Sequence, residues 1–417
     1  MRKTNILFII VALYSTLFTS CNVIIEEMER YAQKHSSETR NFGTKELVLS
    51  GDTVVHKYNV DNFSHINTNT HFSIDVIYKQ SNDTPSATLI CNKELLPFVE
   101  VYDKNGILYI ENTDSIHNTY STYNARKYVC TLVCNSKKLT NIKQSSGNIT
   151  IETDLKGKRL AVDKSGFGDF ICKKPLELDE LEITSSGSGN TTLRGTFKNA
   201  ILDISGFGDI NIDGDLTAQD LSIDISGSGD IVFSKPAKIE TLKIDLSGFG
   251  DIDIDELEST NIDIDCSGSG NSTISKINTQ SLNLNISGYG DIDITDLKST
   301  NTKINCNGSG NIKIPKINNK SLNIKASGYG DVRLDYGFVE NLNIDFSGSS
   351  SFEAAHLKAD NVTFNASGYG KHHIGLINKS MDVQLHNSTS LTYSGNPEIQ
   401  NINISGNASI RKRNNNE

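Results

Sequence analysis

Between Leu282 and Ile294 the chain reads Leu282-Asn-Leu-Asn-Ile-Ser-Gly-Tyr-Gly-Asp-Ile-Asp-Ile294, with apolar and polar residues in strict alternation on either side of two glycines. A period of two predicts strands with one buried face. The same pattern returns along most of the chain. A Ser-Gly step stands at Gly147, Gly166, Gly187, Gly206, Gly227, Gly248, Gly268, Gly288, Gly328, Gly348, Gly368 and Gly406, Asn307-Gly308 fills one missing place, and Asn387 marks a degenerate one. The intervals are 19, 21, 19, 21, 21, then 20 six times, then 19 and 19. A fixed period of this length is the mark of a repeat architecture.

Each unit predicts two short strands and two bends. Gly288 and Gly290 are expected to supply positive φ at the first bend. The second lies near Thr295–Thr300, with Leu297 tucked inward. This is one coil of a parallel β-helix, stable only when its apolar stripe stacks on its neighbours. Thirteen intervals at one strand spacing each give a rod of roughly 60 Å. The units also alternate. Phe167, Phe207, Phe249, Tyr289, Tyr329 and Tyr369 fill the x of Ser-Gly-x-Gly in every second unit, while Ser188, Ser228, Ser269 and Ser309 fill it between them. After the second glycine, Asp251, Asn271, Asp291, Asn311 and Asp331 alternate in charge, which relieves repulsion between carboxylates stacked about 4.8 Å apart. The expected coil is therefore about 20 residues long within a 40-residue superperiod, and a single 40-residue coil is the alternative. Cys266 and Cys306 discriminate: with 20-residue coils they lie two coils apart, near 10 Å, too far for a disulfide.

The expected organisation is a signal peptide over 1–20, a polar tether over 21–45, a less regular β region or cap over 46–140, regular repeats over 141–410 and a basic polar tail over 411–417. Met1-Arg2-Lys3, an apolar run from Ile6 to Tyr14 and Ser15–Cys21 form an export signal. The apolar run is too short for the roughly 30 Å hydrocarbon core. Leu17–Cys21 resembles a bacterial lipobox, although Phe18 departs from the usual Leu; it makes Cys21 the lipidated N-terminus and the lipid the means of membrane attachment. Glu26-Glu27 behind it look like the surface-export signals of Bacteroidetes lipoproteins, a solvated linker being the plainer reading. Six further cysteines, Cys91, Cys130, Cys134, Cys172, Cys266 and Cys306, match no zinc spacing and mostly read as small buried hydrophobes, although an oxidising compartment permits disulfides.

A chain of 417 residues with 40 Lys+Arg against 50 Asp+Glu has a formal net charge of −10, which argues against nucleic acid as a partner. Its 36% hydrophobic content and lack of Trp suit thin stacked β-structure better than one large core. The Ser-Gly-x-Gly-Asp/Asn-Ile units, the Phe63–Asn112 segment, and the closing Tyr393-Ser394-Gly395-Asn396-Pro397 with Ile404–Ile410 resemble the auto-transporter adhesin, head GIN domain family of Bacteroidetes envelope proteins, over residues 46 to 410. The resemblance implies a right-handed β-helix and a non-enzymatic, adhesin-like role at the outer membrane, facing the cell surface or the periplasm. It allows a homotrimer, without a heptad stalk to support one. The signature decays at Ser349-Ser350-Ser351, Gly370-Lys371 and Asn387-Ser388.

Parallel β-helices also host polysaccharide lyases and glycosidases, but Asp253, Asp255, Asp263 and Asp265 repeat with the fold, unlike a unique catalytic pair. A calcium site would need six to eight oxygens, and one Asp per coil falls short. His356, His372, His373 and His386 cluster late without metal-ligand spacing; alignment puts His372 inward and His373 outward. No cofactor is expected. The aromatic ladder from Phe167 to Tyr369 is the candidate ligand-stacking site for a surface glycan or host-surface ligand, and the competing reading is that it seals the corner of the coil. A purely structural envelope spacer is the remaining alternative.

Overall fold

The computed structural model describes residues 47–70, 72–113, 122–123 and 128–413. The export signal, Cys21 and the tether, and the last four residues of the basic tail, lie outside them. The chain divides into two compact units, residues 1–50 with 114–127, and residues 51–113 with 128–417. In the first, Leu47–Val48 pairs in parallel with Thr122–Tyr123.

The second unit is a parallel β-solenoid of about 14 turns. Its register is set by the repeat: Ile252, Ser272, Ile292, Ile312 and Val332 stand one above the other, each step being twenty residues. The coil is therefore the shorter of the two alternatives. Cys266 and Cys306 are separated in the ladder by Ile286, and their thiols reach local oxygens, Ser272 Oγ and Gly310 O, both at 3.7 Å. All six described cysteines are buried.

In the coil Ile292–Cys306 the inward residues are Ile292, Ile294, Leu297, Ser299, Thr302, Ile304 and Cys306. Alternation breaks at Thr295-Asp296 and again at Thr300-Asn301, where two successive residues face out. These are two corners flanking a short extra face, and the glycine step makes a third. The two-bend reading missed one of them because one corner's width of sequence hides both breaks.

The glycine corner also differs from expectation. Neither Gly288 nor Gly290 has a positive φ. Both face inward, and alternation runs through them unbroken. Their role is clearance: a Cβ on Gly288 would sit 1.7 Å from Gly268 O, and one on Gly290 1.7 Å from Gly270 O. Successive corners stack backbone on backbone, and only glycine permits that approach.

Residues 53–70, 72–113 and 128–136 start the stack differently. His65–Asn69 and Asp75–Gln80 lie in parallel beneath Asn141–Gln144 and Ile149–Ile151. Antiparallel pairs accompany them: Thr53–Tyr58 with Ser86–Asn92, Ser86–Asn92 with Cys130–Ser136, and Val99–Lys104 with Ile107–Asn112. In the regular stack the core is mostly Ile, Leu and Val, with a few enclosed polar groups. Lys164, 1% exposed, donates to Gly189 O at 2.7 Å, Asn190 O at 2.8 Å and Thr191 Oγ1 at 3.1 Å, and burial pulls its ammonium down to about 8.

Candidate ligand-binding face

The inward glycines decide where the residue between them points. With Gly288 and Gly290 turned into the stack, Tyr289 must face solvent. Phe167 is 82% exposed, Phe207 70%, Phe249 74%, Tyr289 76%, Tyr329 75% and Tyr369 69%. Rings this exposed do not seal a corner, so that reading is set aside. The outward Ser of each intervening coil separates the rings by two strand spacings, about 10 Å, and the six form a row roughly 50 Å long parallel to the solenoid axis.

Beside this row runs a polar shelf. The outward residues before Tyr289 are Ser287 and Asn285, and the equivalent places on adjacent coils hold Asp265, Asn305, Ser267 and Asn307. Amides tie the coils together: Asn285 Nδ2 donates to Asp265 Oδ1 at 2.5 Å, and Asn305 Nδ2 to Asn285 Oδ1 at 2.6 Å. Ser327 Oγ donates to Asn307 Oδ1 at 2.7 Å. Asp265, Ser267, Asn285, Ser287, Asn305 and Asn307, with Asp245 and Lys325, line an open groove of about 630 Å³. Exposed rings next to a rigid row of amides, hydroxyls and carboxylates can stack on and hydrogen-bond a polar ligand of extended shape. Sequence reading singled out the rings and missed the shelf; the signal was the recurrence of Asp265, Asn285 and Asn305 two places before each Ser-Gly or Asn-Gly step.

The Asp/Asn position after the second glycine does other work. Asp251 Oδ1 accepts the Asn271 N–H at 2.6 Å, Asn271 Oδ1 the Asp291 N–H at 2.9 Å, and Asp291 Oδ1 the Asn311 N–H at 2.6 Å. The same bond links Asp209, Asp230 and Asp251 at 3.0 and 2.8 Å, so acids in succession are tolerated. The side-chain amide of Asn311 also donates to Asp291 Oδ1, at 3.1 Å. Among the described residues no group of three or more His, Cys, Asp or Glu converges as a metal site would require.

Other concavities lie elsewhere on the described residues. A groove of about 930 Å³ follows the Thr300 corner from Thr217 to Glu340, with Lys238, Lys298 and Lys320 mixed among Glu240, Glu258 and Glu340. Where the repeat signature decays, Lys371, His373, Arg411 and Arg413 surround a hollow of about 340 Å³, and Glu353 meets His373 at 3.3 Å. His372 points inward and is 3% exposed, against the rings of Phe346 and Phe364 at 5.3 and 5.1 Å.

Comparison with known proteins follows the repeat. A family described as "Putative auto-transporter adhesin, head GIN domain" matches residues 62–238, 221–335 and 284–397. Among solved structures, a "putative adhesin" from Parabacteroides merdae is 20% identical, with 70% of this chain and 99% of that one covered at a TM-score of 0.45. A "putative lipid binding protein" from Parabacteroides distasonis is 17% identical, covering 89% and 100% at a TM-score of 0.28. A "putative adhesin" from the same species is 15% identical, covering 88% and 100% at 0.28. Among curated proteins none matches. With the family's pattern recurring in three overlapping matches across most of the solenoid, this chain belongs to the auto-transporter adhesin, head GIN domain family.

Proposed function

We propose that this protein is a non-enzymatic, adhesin-like binding module of the cell envelope, attached to the outer membrane through a lipid on Cys21, and that it holds an extended surface glycan along the ring row. The observation that carries this reading is the exposure of all six rings at one corner, in a row the fold does not need. Serine occupies the same corner in alternate coils without disturbing the ladder, so the rings are not required for packing. Family membership supports an envelope role and adhesion. Many near-identical sites on one rigid stack favour avidity over strong binding at any one place.

The test is the triple variant Tyr289→Ser, Tyr329→Ser, Tyr369→Ser, compared with wild type by glycan-array binding and by attachment of coated beads to glycan-bearing surfaces. Thermal melting should be unchanged, because the substituted rings are exposed, while binding falls at least tenfold. A folded triple variant that binds like wild type would remove the rings from the function and leave an envelope spacer.

A further inference from the structure

We infer that the ligand is a straight, β-1,4-linked polysaccharide whose repeating length is a disaccharide, lying parallel to the solenoid axis with every second sugar stacked on a ring. This rests on the binding role proposed above and specifies its substrate class. Rings recur every second coil, about 10 Å apart, which is the length of two sugars in a flat, extended β-1,4-linked chain. In such a chain neighbouring sugars are rotated by half a turn, so equivalent ring faces return only at every second residue. The corner matches that alternation: an exposed ring, then Ser188, Ser228, Ser269 or Ser309, then a ring again. An axis-parallel chain would also run along the Asp265–Asn285–Asn305 shelf, where one polar side chain stands on each coil and so offers one polar rung per sugar. Between Phe249 and Phe346 the register holds at twenty residues without a shift, which keeps Phe249, Tyr289 and Tyr329 in phase over two disaccharide lengths.

Two deletions separate ring spacing from ring number. Removing Ser272–Asp291 takes out one coil and leaves three coil steps between Phe249 and Tyr329. Removing Ser272–Asn311 takes out two coils and restores the two-coil step. Both deletions remove only Tyr289 from the row, and both rejoin the chain at equivalent points of the coil. Cello- and chito-oligosaccharides of two to twelve sugars serve as probes, with amylose fragments as coiled controls. For wild type, affinity should rise in steps of two sugars. The two-coil deletion should keep that behaviour within about threefold, and the one-coil deletion should lose at least tenfold on chains of six sugars or more. Equal binding by both deletions, or equal binding of amylose, overturns the disaccharide match. If no β-1,4-linked probe binds while the triple tyrosine variant still loses attachment to another polymer, this inference fails and the ring-row function stands. Attachment independent of the three tyrosines overturns both.

A different observation carries a second inference. Cys91 and Cys130 stand directly opposite each other on the antiparallel strands Ser86–Asn92 and Cys130–Ser136. The neighbouring pair holds the backbone bond, Asn92 N–H to Val129 O at 3.0 Å, so Cys91 and Cys130 form the pair without one. In such pairs the Cα atoms lie about 4.5 Å apart with side chains close, within disulfide range. The geometry points to a Cys91–Cys130 disulfide in the exported protein. Each thiol gives up a proton and an electron, and a protein disulfide of the envelope is reduced to a dithiol by exchange. Cys134 faces Ala87, Cys172 stacks on Ile151, and Ile286 separates Cys266 from Cys306, so these four have no such partner in the ladder. Protein taken from the envelope, unfolded and alkylated without reductant, should yield a linked peptide pair containing Cys91 and Cys130, with the other four alkylated. Alkylation of Cys91 and Cys130 before reduction overturns the assignment.

Discussion

His372 occupies a ladder place held by Phe352 in the coil below and Leu391 in the coil above, and both of its ring nitrogens are buried without a hydrogen-bond partner. Burial lowers its imidazole from 6.5 to about 4, and the Asp331 carboxylate opposes that shift. The folded state therefore refuses a proton that the unfolded chain accepts. Stability from this residue is complete above pH 6.5, falls as pH drops toward 4, and amounts to about 3 kcal/mol at most. His372→Leu should flatten the loss of stability between pH 6.5 and 4 and be neutral or stabilising at pH 7, as read from urea unfolding at each pH. An acid limb identical to wild type would show that another group governs it.

At the scale of one coil, the Asp/Asn ladder decides why two residue types share one position. Only an Oδ1 aimed along the axis is needed to accept the next coil's N–H, and Asp and Asn both supply it. Asp291→Asn should therefore be nearly neutral, whereas Asp291→Ala leaves the Asn311 N–H to water and should cost about 1 kcal/mol. Chemical denaturation of the two variants checks the difference; equal losses would mean that charge, not the bond, matters. The ladder ends at Ser351, whose N–H still donates to Asp331 Oδ1 at 2.7 Å but whose own side chain is not an Asx, and Lys371 follows one coil later. The acid–base row at the neighbouring corner has less effect. Lys276 meets Glu256 at 2.5 Å and Lys316 meets Asp296 at 2.6 Å, yet such exposed pairs contribute little.

Across the whole solenoid, stability depends on having a neighbour above and below. Mid-stack Ile304 is 0% exposed, but Ile399, Ile402 and Ile404, which continue the inward ladder over Met381, Val383 and Leu385, are 48%, 39% and 39% exposed on the final coil. Ile304→Ala should therefore cost roughly 2–5 kcal/mol and Ile402→Ala under about 1 kcal/mol. Amide exchange should be fastest over Glu398–Ile404 and slowest between Ile252 and Ile324. Uniform protection along the stack would contradict nearest-neighbour stabilisation.

The sequence by itself determined what is periodic: the coil length, the parity that sends Leu282, Leu284 and Ile286 inward, and the alternation of ring and serine at the glycine corner. These follow from residue spacing along one chain, because a strand turns a side chain over at every step. The same parity placed His372 inside. Only the tertiary structure decided what depends on the gap between coils. It replaced positive φ by backbone clearance at Gly288 and Gly290, added a corner at Thr300-Asn301, and directed each Asx oxygen to an N–H twenty residues away. It also turned the six rings outward and set the Asp265–Asn285–Asn305 shelf beside them. A repeat spells out one coil; the close stacking of coil on coil sets which of its residues are enclosed and which meet a ligand.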